Sequence, residues 1–375
     1  MPAQKHLAIV GAGVFGLFCA RAAQAVGWRV SVIDPRPAPA QIGGRCASAS
    51  AAGMLGPLSE TLMEPHPSSP TRLGLGLAAL RLWAELGPDL HGAAYQPCGA
   101  LHVGGRDQAD ALMALAARAR EVGFGAKILR GGAVRAAWPG LGFRASLAVK
   151  VEQEALVQPL AALAALEKAL AGSARFGVAV EDIWQSQGLW RVALSDGETL
   201  AADEVLLSSG YAPAVMAWAP ALKVLVPAAG VMALLRAHAP PCVVRGPGFY
   251  LAPRADGGVV LGSSMQFGVR DAKPDVKELR KLAARLFDFA PTMKSAPELA
   301  RWAGVRAMSP DWGPLIGRDA GTGLLVASGA GRNGWLYGPL AGQIITAHLS
   351  DRRLSDEWAS LDPNRFSSAE PSSHV

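Results

Sequence analysis

Residues 7–34 constrain the fold more than any other stretch. Leu7-Ala8-Ile9-Val10 is a short apolar strand that runs into Gly11-Ala12-Gly13-Val14-Phe15-Gly16. A helical stretch follows from Leu17 to Val26 and is closed by Gly27. Arg29-Val30-Ser31-Val32-Ile33 reads as a second strand, ending in Asp34, 18 residues past Gly16. A strand–GxGxxG–helix–strand–acid unit is the signature of a dinucleotide-binding fold. Gly11 permits the tight turn, Gly13 lets backbone approach a pyrophosphate, and Gly16 lets helix and strand pack closely. The helix N-terminus offers N–H groups and a positive dipole to phosphates. Asp34 can accept hydrogen bonds from both ribose hydroxyls, and an acid here disfavours the 2′-phosphate of NADP. Val14, Phe15 and Pro35 belong to the same candidate set. The unit does not separate FAD from NAD.

With 375 residues and roughly 150 per domain, one large or two intimate domains are expected. Half the residues are hydrophobic and 18% are charged, which excludes a disordered or fibrous chain. The net charge is +6, with Lys and Arg scattered rather than run together. That favours an anionic substrate over nucleic acid. Cys19, Cys46, Cys98 and Cys242 lie far apart and form no CxxC, so neither a metal site nor a disulfide framework is expected. Nothing reads as a signal peptide. The uncharged stretches Val205–Leu222 and Asn333–Ser350 are broken by Gly and Pro and read as strand–turn–helix, not membrane spans. A cytoplasmic location is expected.

Gly43 to Gly56 carries almost no bulk: GGRCASASAAGMLG. It is either a flexible loop or backbone passing along an extended ligand, where side chains would collide. An NAD enzyme would continue with further strand–helix units here, so the run suits FAD. A second literal GxGxxG, Gly329-Ala330-Gly331-Arg332-Asn333-Gly334, sits between a strand, Leu324–Ala327, and a helix expected over Leu340–Leu349. No second strand with a terminal acid follows, so a separate nucleotide site is not expected there.

Together with GFYLAPRADGGVVLGSSM (Gly248–Met265) and WAGVRAMSPDWGPLIGR (Trp302–Arg318), these stretches resemble the FAD-dependent D-amino-acid oxidase superfamily. The closest likeness is to its glycine-oxidase branch of thiamine biosynthesis. The resemblance runs from about residue 6 to 350. It implies an α/β fold: a Rossmann-like FAD-binding domain assembled from 1–75, 141–221 and 301–355. A discontinuous antiparallel-sheet substrate domain would take 76–140 and 222–300. Apart from the resemblance, the 356–375 tail, rich in Ser and Pro after about Leu361, is expected without order.

The resemblance also implies noncovalent FAD, since no Cys lies between 300 and 316. Its cofactor contacts would include Arg45, Cys46, Ala47, Ala52, Gly53 and Met54, then Gly210, then Gly329 through Leu336 (with Ala330, Gly331, Arg332, Asn333, Gly334 and Trp335). Val180 falls where relatives hold the adenine against a backbone edge, though it reads equally as an ordinary strand valine. In the relatives the loop at Gly329 lies against the flavin, where a helix N-terminus favours negative charge on the ring.

Flavin amine oxidation asks little of the protein beyond holding the substrate carboxylate so that Cα–H points at the flavin. The residue to look for is therefore a fixed cation, and Arg suits a carboxylate because its fork is planar. Arg306 matches the relatives' carboxylate-binding arginine, Tyr250 a tyrosine contacting the same carboxylate, Arg332 a second pocket arginine, and Met265 a residue above the flavin. Departures are the proline-rich Pro57–Pro70, Gly248 where a polar pocket residue is usual, and Ala307 where proline is common.

The implied activity is oxidative deamination of glycine or another small amino acid (a D-amino acid, sarcosine), with O2 as acceptor giving H2O2. A quinone-linked D-amino-acid or N-methylamino-acid dehydrogenase is the first alternative, and an RNA-modifying flavoprotein the next. No nucleic-acid partner and no integral membrane segment are expected, and a homo-oligomer stays open.

Overall fold

The computed structural model describes residues 4–43, 46–61, 70–86, 90, 94–170 and 172–367. Arg45 lies outside them. The first strand, His6–Val10, is buried along its whole length. It pairs in parallel with Arg29–Asp34 on one side and Glu204–Leu207 on the other. The sheet has six strands among the described residues, in the order Leu315–Arg318, Leu325–Ser328, Glu204–Leu207, His6–Val10, Arg29–Asp34, Ala174–Phe176. All pairs are parallel except Leu315–Arg318 with Leu325–Ser328. Continuous apolar runs of this kind belong to strands covered on both faces. The helices Val14–Ala25, Pro159–Ala169 and Gly334–Leu349 contribute to the core that includes Leu7, Ile9 and Leu206. Val192 and Leu194 of a three-stranded antiparallel sheet pack with Ala8, Ile33 and Leu207 in a second core.

Two local readings change here. Arg175-Phe176-Gly177-Val178-Ala179-Val180 reads in the sequence as one strand, but it is split at Gly177, which has φ +77°. Ala174–Phe176 joins the parallel sheet and Val180–Ser186 starts the three-stranded one. The last helix begins at Gly334, not Leu340, and runs through Pro339. Pro339 has no N–H to give the carbonyl of Trp335. That carbonyl instead accepts the indole N–H of Trp83 at 2.7 Å, which removes the cost of the missing bond. Gly338 lets the helix close on its neighbour: a Cβ there would stand 2.7 Å from Phe18 Cδ2.

The larger sheet has nine strands among the described residues, built on the long hairpin-like pair Val226–Arg236 and Glu298–Met308. Gly258–Gly262, Phe249–Pro253 and Val243–Gly246 continue it antiparallel. A parallel step to Ala100–Gly104 leads on to Leu147–Val151 and Ala126–Arg130. Leu147–Val151 and residues 301–308 of the strand Glu298–Met308 thus lie in this sheet, inside stretches expected on the nucleotide side. The pattern over Asp275–Phe289 predicts an amphipathic helix with Val276, Leu279, Leu282 and Leu286 on one side and a solvated face of Lys277, Glu278, Arg280, Lys281 and Arg285 largely on the other. Helix Val276–Phe289 forms with Leu279, Leu282, Leu286 and Phe289 buried and Val276 exposed. Asp275 caps it, accepting from the N–H of Lys277 and Glu278.

The tail is ordered over 356–367, contrary to the reading from its Ser and Pro content. Asp356–Leu361 and Pro363–Phe366 form 3-10 turns. Leu361 is 0% exposed, and Arg365 binds both carboxylate oxygens of Asp311 at 2.9 and 3.0 Å. One buried leucine and one ion pair outweigh composition. Residues 368–375 lie outside those described. Among the described residues no helix is long and apolar enough to cross a membrane.

Candidate active site

The first glycine unit has the geometry its sequence predicts. Gly11 has φ +108°, and a Cβ there would meet Ser208 backbone at 2.8 Å. A Cβ on Gly16 would lie 1.9 Å from Gly11 O. Gly13 is different: only Ser48 Oγ, at 3.4 Å, neighbours its Cβ position. A methyl there would occupy the space at the helix start that a pyrophosphate needs. Asp34 is oriented before any ligand arrives. Its Oδ2 accepts from Ala12 N at 2.6 Å and its Oδ1 from Arg36 N at 2.9 Å. Arg36 donates to Ala12 O at 3.0 Å and to Glu167 at 2.5 Å. Val14 N donates to Ser48 Oγ at 3.0 Å, which ties the small-residue run to the helix. Glycine cradle, N-terminal amides and oriented acid together fit an FAD.

A cavity of about 460 Å³ opens between the larger sheet and the N-terminal ends of helices Val14–Ala25 and Gly334–Leu349. Val14, Ala47, Ala52, Gly53, Met54, Gly331, Arg332, Gly334 and Trp335 line it, with Tyr250, Met265 and Arg306 across from them in sequence. The first GxGxxG, the small-residue run, the second GxGxxG and the large sheet thus converge on one space. Gly53 has φ +87°, and a Cβ on it would be 2.0 Å from Val157 O. Gly329 and Gly331 also have positive φ, and Gly331 N donates to Ala307 O at 2.9 Å. Trp335 donates its indole N–H to Ser48 O at 3.0 Å, so the last helix and the small-residue run are joined.

Other candidates stand outside the cavity wall. Phe15 and Leu336 are buried in the core under the first sheet. Gly210, with φ +65°, follows the strand Glu204–Leu207, and its carbonyl accepts from Ser328 Oγ. Val180 opens its strand at an irregularity in register. Pro35 is exposed, while Cys46 is half-buried beside the run. Ala330 and Asn333 are buried, and Asn333 N donates to Ala330 O within the loop.

Arg306 projects from the strand Glu298–Met308, opposite Ala228. Its Nη2 donates to Ser263 Oγ at 2.8 Å and its Nη1 to Ser264 O at 3.3 Å. Among the described residues no carboxylate lies within ion-pair distance of it. Burial lowers its pKa from the ordinary arginine value, and Tyr250 partly opposes that. Guanidinium nevertheless stays charged at neutral pH. Tyr250 lies flat over Gly262, where a Cβ would be 2.2 Å from the hydroxyl. Burial raises the Tyr250 pKa, with Arg306 acting against it, so the hydroxyl keeps its proton at neutral pH.

Sequence reasoning missed Glu60. It is 5% exposed, on the short helix Pro57–Thr61 inside the proline-rich departure. Its Oε1 accepts from Arg245 Nη1 at 2.7 Å, and its Oε2 lies 2.6 Å from Arg332 Nη2. The second contact is an ion pair without hydrogen-bond alignment. Burial pushes the Glu60 carboxyl up, but Arg332 and Arg245 outweigh it and hold the pKa below the ordinary carboxylate value. Arg332 therefore already has an anionic partner, and its guanidinium also stands 5.5 Å over the Trp312 ring. Behind this lies a buried cluster: Ser59 donates to Glu154 and is 3.0 Å from His102 Nε2. An arginine in a mostly apolar strand calls for an anionic partner; Arg306 carries that signal in its sequence, and Arg245 in Val243–Gly246 carries it too. The sequence around Glu60 carries no such signal.

A family profile described as FAD dependent oxidoreductase matches residues 6–348. Glycine oxidase of Pseudomonas aeruginosa is 28% identical over 365 residues, covering 93% of this chain and 95% of that protein. Glycine oxidase of Pseudomonas putida is 34% identical over 163 residues, 42% of this chain and 44% of that protein. The crystal structure of glycine oxidase from Geobacillus kaustophilus superposes with a TM-score of 0.84 at 25% identity, over 96% of this chain and 99% of that one. The chain belongs to the FAD dependent oxidoreductase family, within the D-amino-acid oxidase superfamily near glycine oxidase, and is an FAD-dependent amino-acid oxidoreductase.

Proposed function

We infer that the protein oxidises a small amino acid (glycine, sarcosine or a D-amino acid) to its imine, with O2 as acceptor giving H2O2. The observation that carries this is Arg306: a half-buried guanidinium on the wall of the cavity, without a carboxylate partner among the described residues, beside a protonated Tyr250 hydroxyl. A buried cation in that state favours an anion from outside.

The substrate carboxylate bonds the Arg306 fork and takes a hydrogen bond from Tyr250. Ser263 and Ser264 fix the guanidinium from behind, so the carboxylate's position determines where Cα–H points. Glu60 neutralises Arg245 and most of Arg332, which leaves Arg306 as the main anchor. The amine binds without its extra proton, and its lone pair assists departure of the Cα hydrogen. Gly11–Gly16 and Asp34 would hold FAD noncovalently, and FAD would supply the hydride acceptor and the two-electron route to O2. The imine then hydrolyses to an oxoacid and ammonia, or to an oxoacid and methylamine from sarcosine. Met265, on the cavity wall, closes the space above the reacting carbon.

The test is peroxide release across glycine, sarcosine, D-amino acids and small amines, run beside reduction of an artificial dye. Peroxide with an amino acid supports the reading. Dye reduction without peroxide replaces it with a quinone-linked dehydrogenase, and activity on simple amines alone overturns the carboxylate anchor.

A further inference from the structure

The cavity wall carries five cationic side chains and two carboxylates. Glu60 sits between Arg245 and Arg332, and Glu278 pairs with Lys281. Two cations remain without a carboxylate partner among the described residues: Arg306 and Arg285. Under the function inferred above, Arg306 takes the α-carboxylate. Arg285 is then a surplus cation in the same space.

Its placement follows from the fold. Leu279, Leu282 and Leu286 bury the apolar face of helix Val276–Phe289. Lys281 and Arg285, four residues apart, share a neighbouring face and reach the cavity. Arg285 lies over Gly248, a turn residue with φ +75°. A Cβ on Gly248 would stand 2.6 Å from Arg285 Nη1 and 2.9 Å from its Cδ. The glycine that replaces the usual polar pocket residue is what admits the guanidinium. Gly248 precedes Tyr250 by two residues, and two residues of chain span at most roughly 7 Å. The turn under Arg285 thus lies within about 7 Å of the Tyr250 backbone, and Gly248, Tyr250, Arg285 and Arg306 line one cavity. An arginine wholly in water would offer little, but one on the rim of a cavity that a substrate fills meets its anion with water displaced.

We propose that the substrate carries a second carboxylate and that Arg285 is the residue that reads it. The substrate class is a dicarboxylic amino acid with its two acids a few bonds apart, such as D-aspartate, D-glutamate or an N-carboxymethyl amino acid. This rests on the amino-acid reading of the site.

The experiment uses FAD-loaded enzyme and unreactive acids. Succinate and glutarate are titrated against propionate and butyrate, with flavin absorbance as the readout, in the wild type, Arg285→Ala, Arg285→Gln and Arg285→Lys. The wild type should bind the diacids at least tenfold more tightly than the monoacids. That ratio should fall to about one in Arg285→Ala and Arg285→Gln and be partly kept in Arg285→Lys. Equal binding of mono- and diacids by the wild type overturns the proposal, and so does a ratio unchanged in Arg285→Ala. In a separate arm, glycine, D-alanine and D-glutamate are added anaerobically. Flavin bleaching without diacid preference defeats the role of Arg285 alone. Diacid preference without bleaching by any amino acid defeats amino-acid oxidation alone.

Discussion

The guanidinium of Arg306 lies against Gly230, so closely that a Cβ on that glycine would stand 2.3 Å from Nη1 and 2.6 Å from Nη2. The two residues sit on paired strands, where Ala228 faces Arg306 and Gly230 faces Gly304. Gly230→Ala must therefore push the fork off its seat on Ser263 and Ser264. A displacement near 1 Å costs on the order of 10²-fold in rate. We expect kcat/KM for an amino acid to fall by about that factor while bound flavin, measured by its absorbance, stays near wild type.

Arg306→Ala removes the proposed anchor itself. Losing one side of a buried charge pair costs about 2–5 kcal/mol, so kcat/KM should fall on the order of 10²-fold or more. Arg306→Lys should recover only part, because a point charge cannot reproduce a fork. Steady-state kinetics on the best amino acid decide the matter. Full activity in Arg306→Ala with none in Arg332→Ala would reverse the two roles.

Glu60→Gln leaves Arg245 and Arg332 facing a neutral amide. Removing one partner of a buried ion pair destabilises by about 3–5 kcal/mol, so Tm should drop by several degrees. The pH dependence has a definite sign. The folded Glu60 pKa lies below its unfolded value because Arg332 and Arg245 outweigh the burial that would raise it. Its stabilisation is therefore complete above the unfolded glutamate value, about 4.3, and is lost as pH falls through the lowered folded value. Wild-type Tm should decline below that pH, and Glu60→Gln should decline less over the same interval. Parallel Tm curves for the two proteins would contradict the ion-pair account.

Asp34→Ala removes an acid whose two oxygens are held by Ala12 N and Arg36 N. FAD affinity should weaken by about 1–3 kcal/mol, read from quenching of flavin fluorescence on titration. For the wild type, acid precipitation should leave all yellow colour in the supernatant. Colour in the pellet would mean a covalent link.

The glycine unit, the oriented acid and the amphipathic helix after Asp275 were legible in the chain because their causes are local. A turn needs φ above zero, a close contact forbids a Cβ, and a helix repeats every 3.6 residues. Arg306 and Tyr250 were visible through resemblance, and the arginine also through its oddity in an apolar strand. Glu60 was not, since nothing near it in sequence needs an acid. Its reason lies in Arg245 and Arg332, 185 and 272 residues further along the chain. Arg285 looked like part of a solvated charged face, and only the docking of its helix over Gly248 turned it into the cavity wall. The order of the tail rests likewise on Asp311, a partner brought close by the fold. Sequence alone determined the nucleotide fold, and resemblance added FAD and the proposed anchor Arg306. Tertiary structure decided which cations are neutralised and which remain without a carboxylate partner among the described residues, because Coulomb interactions depend on distance in space and burial, not on separation along the chain.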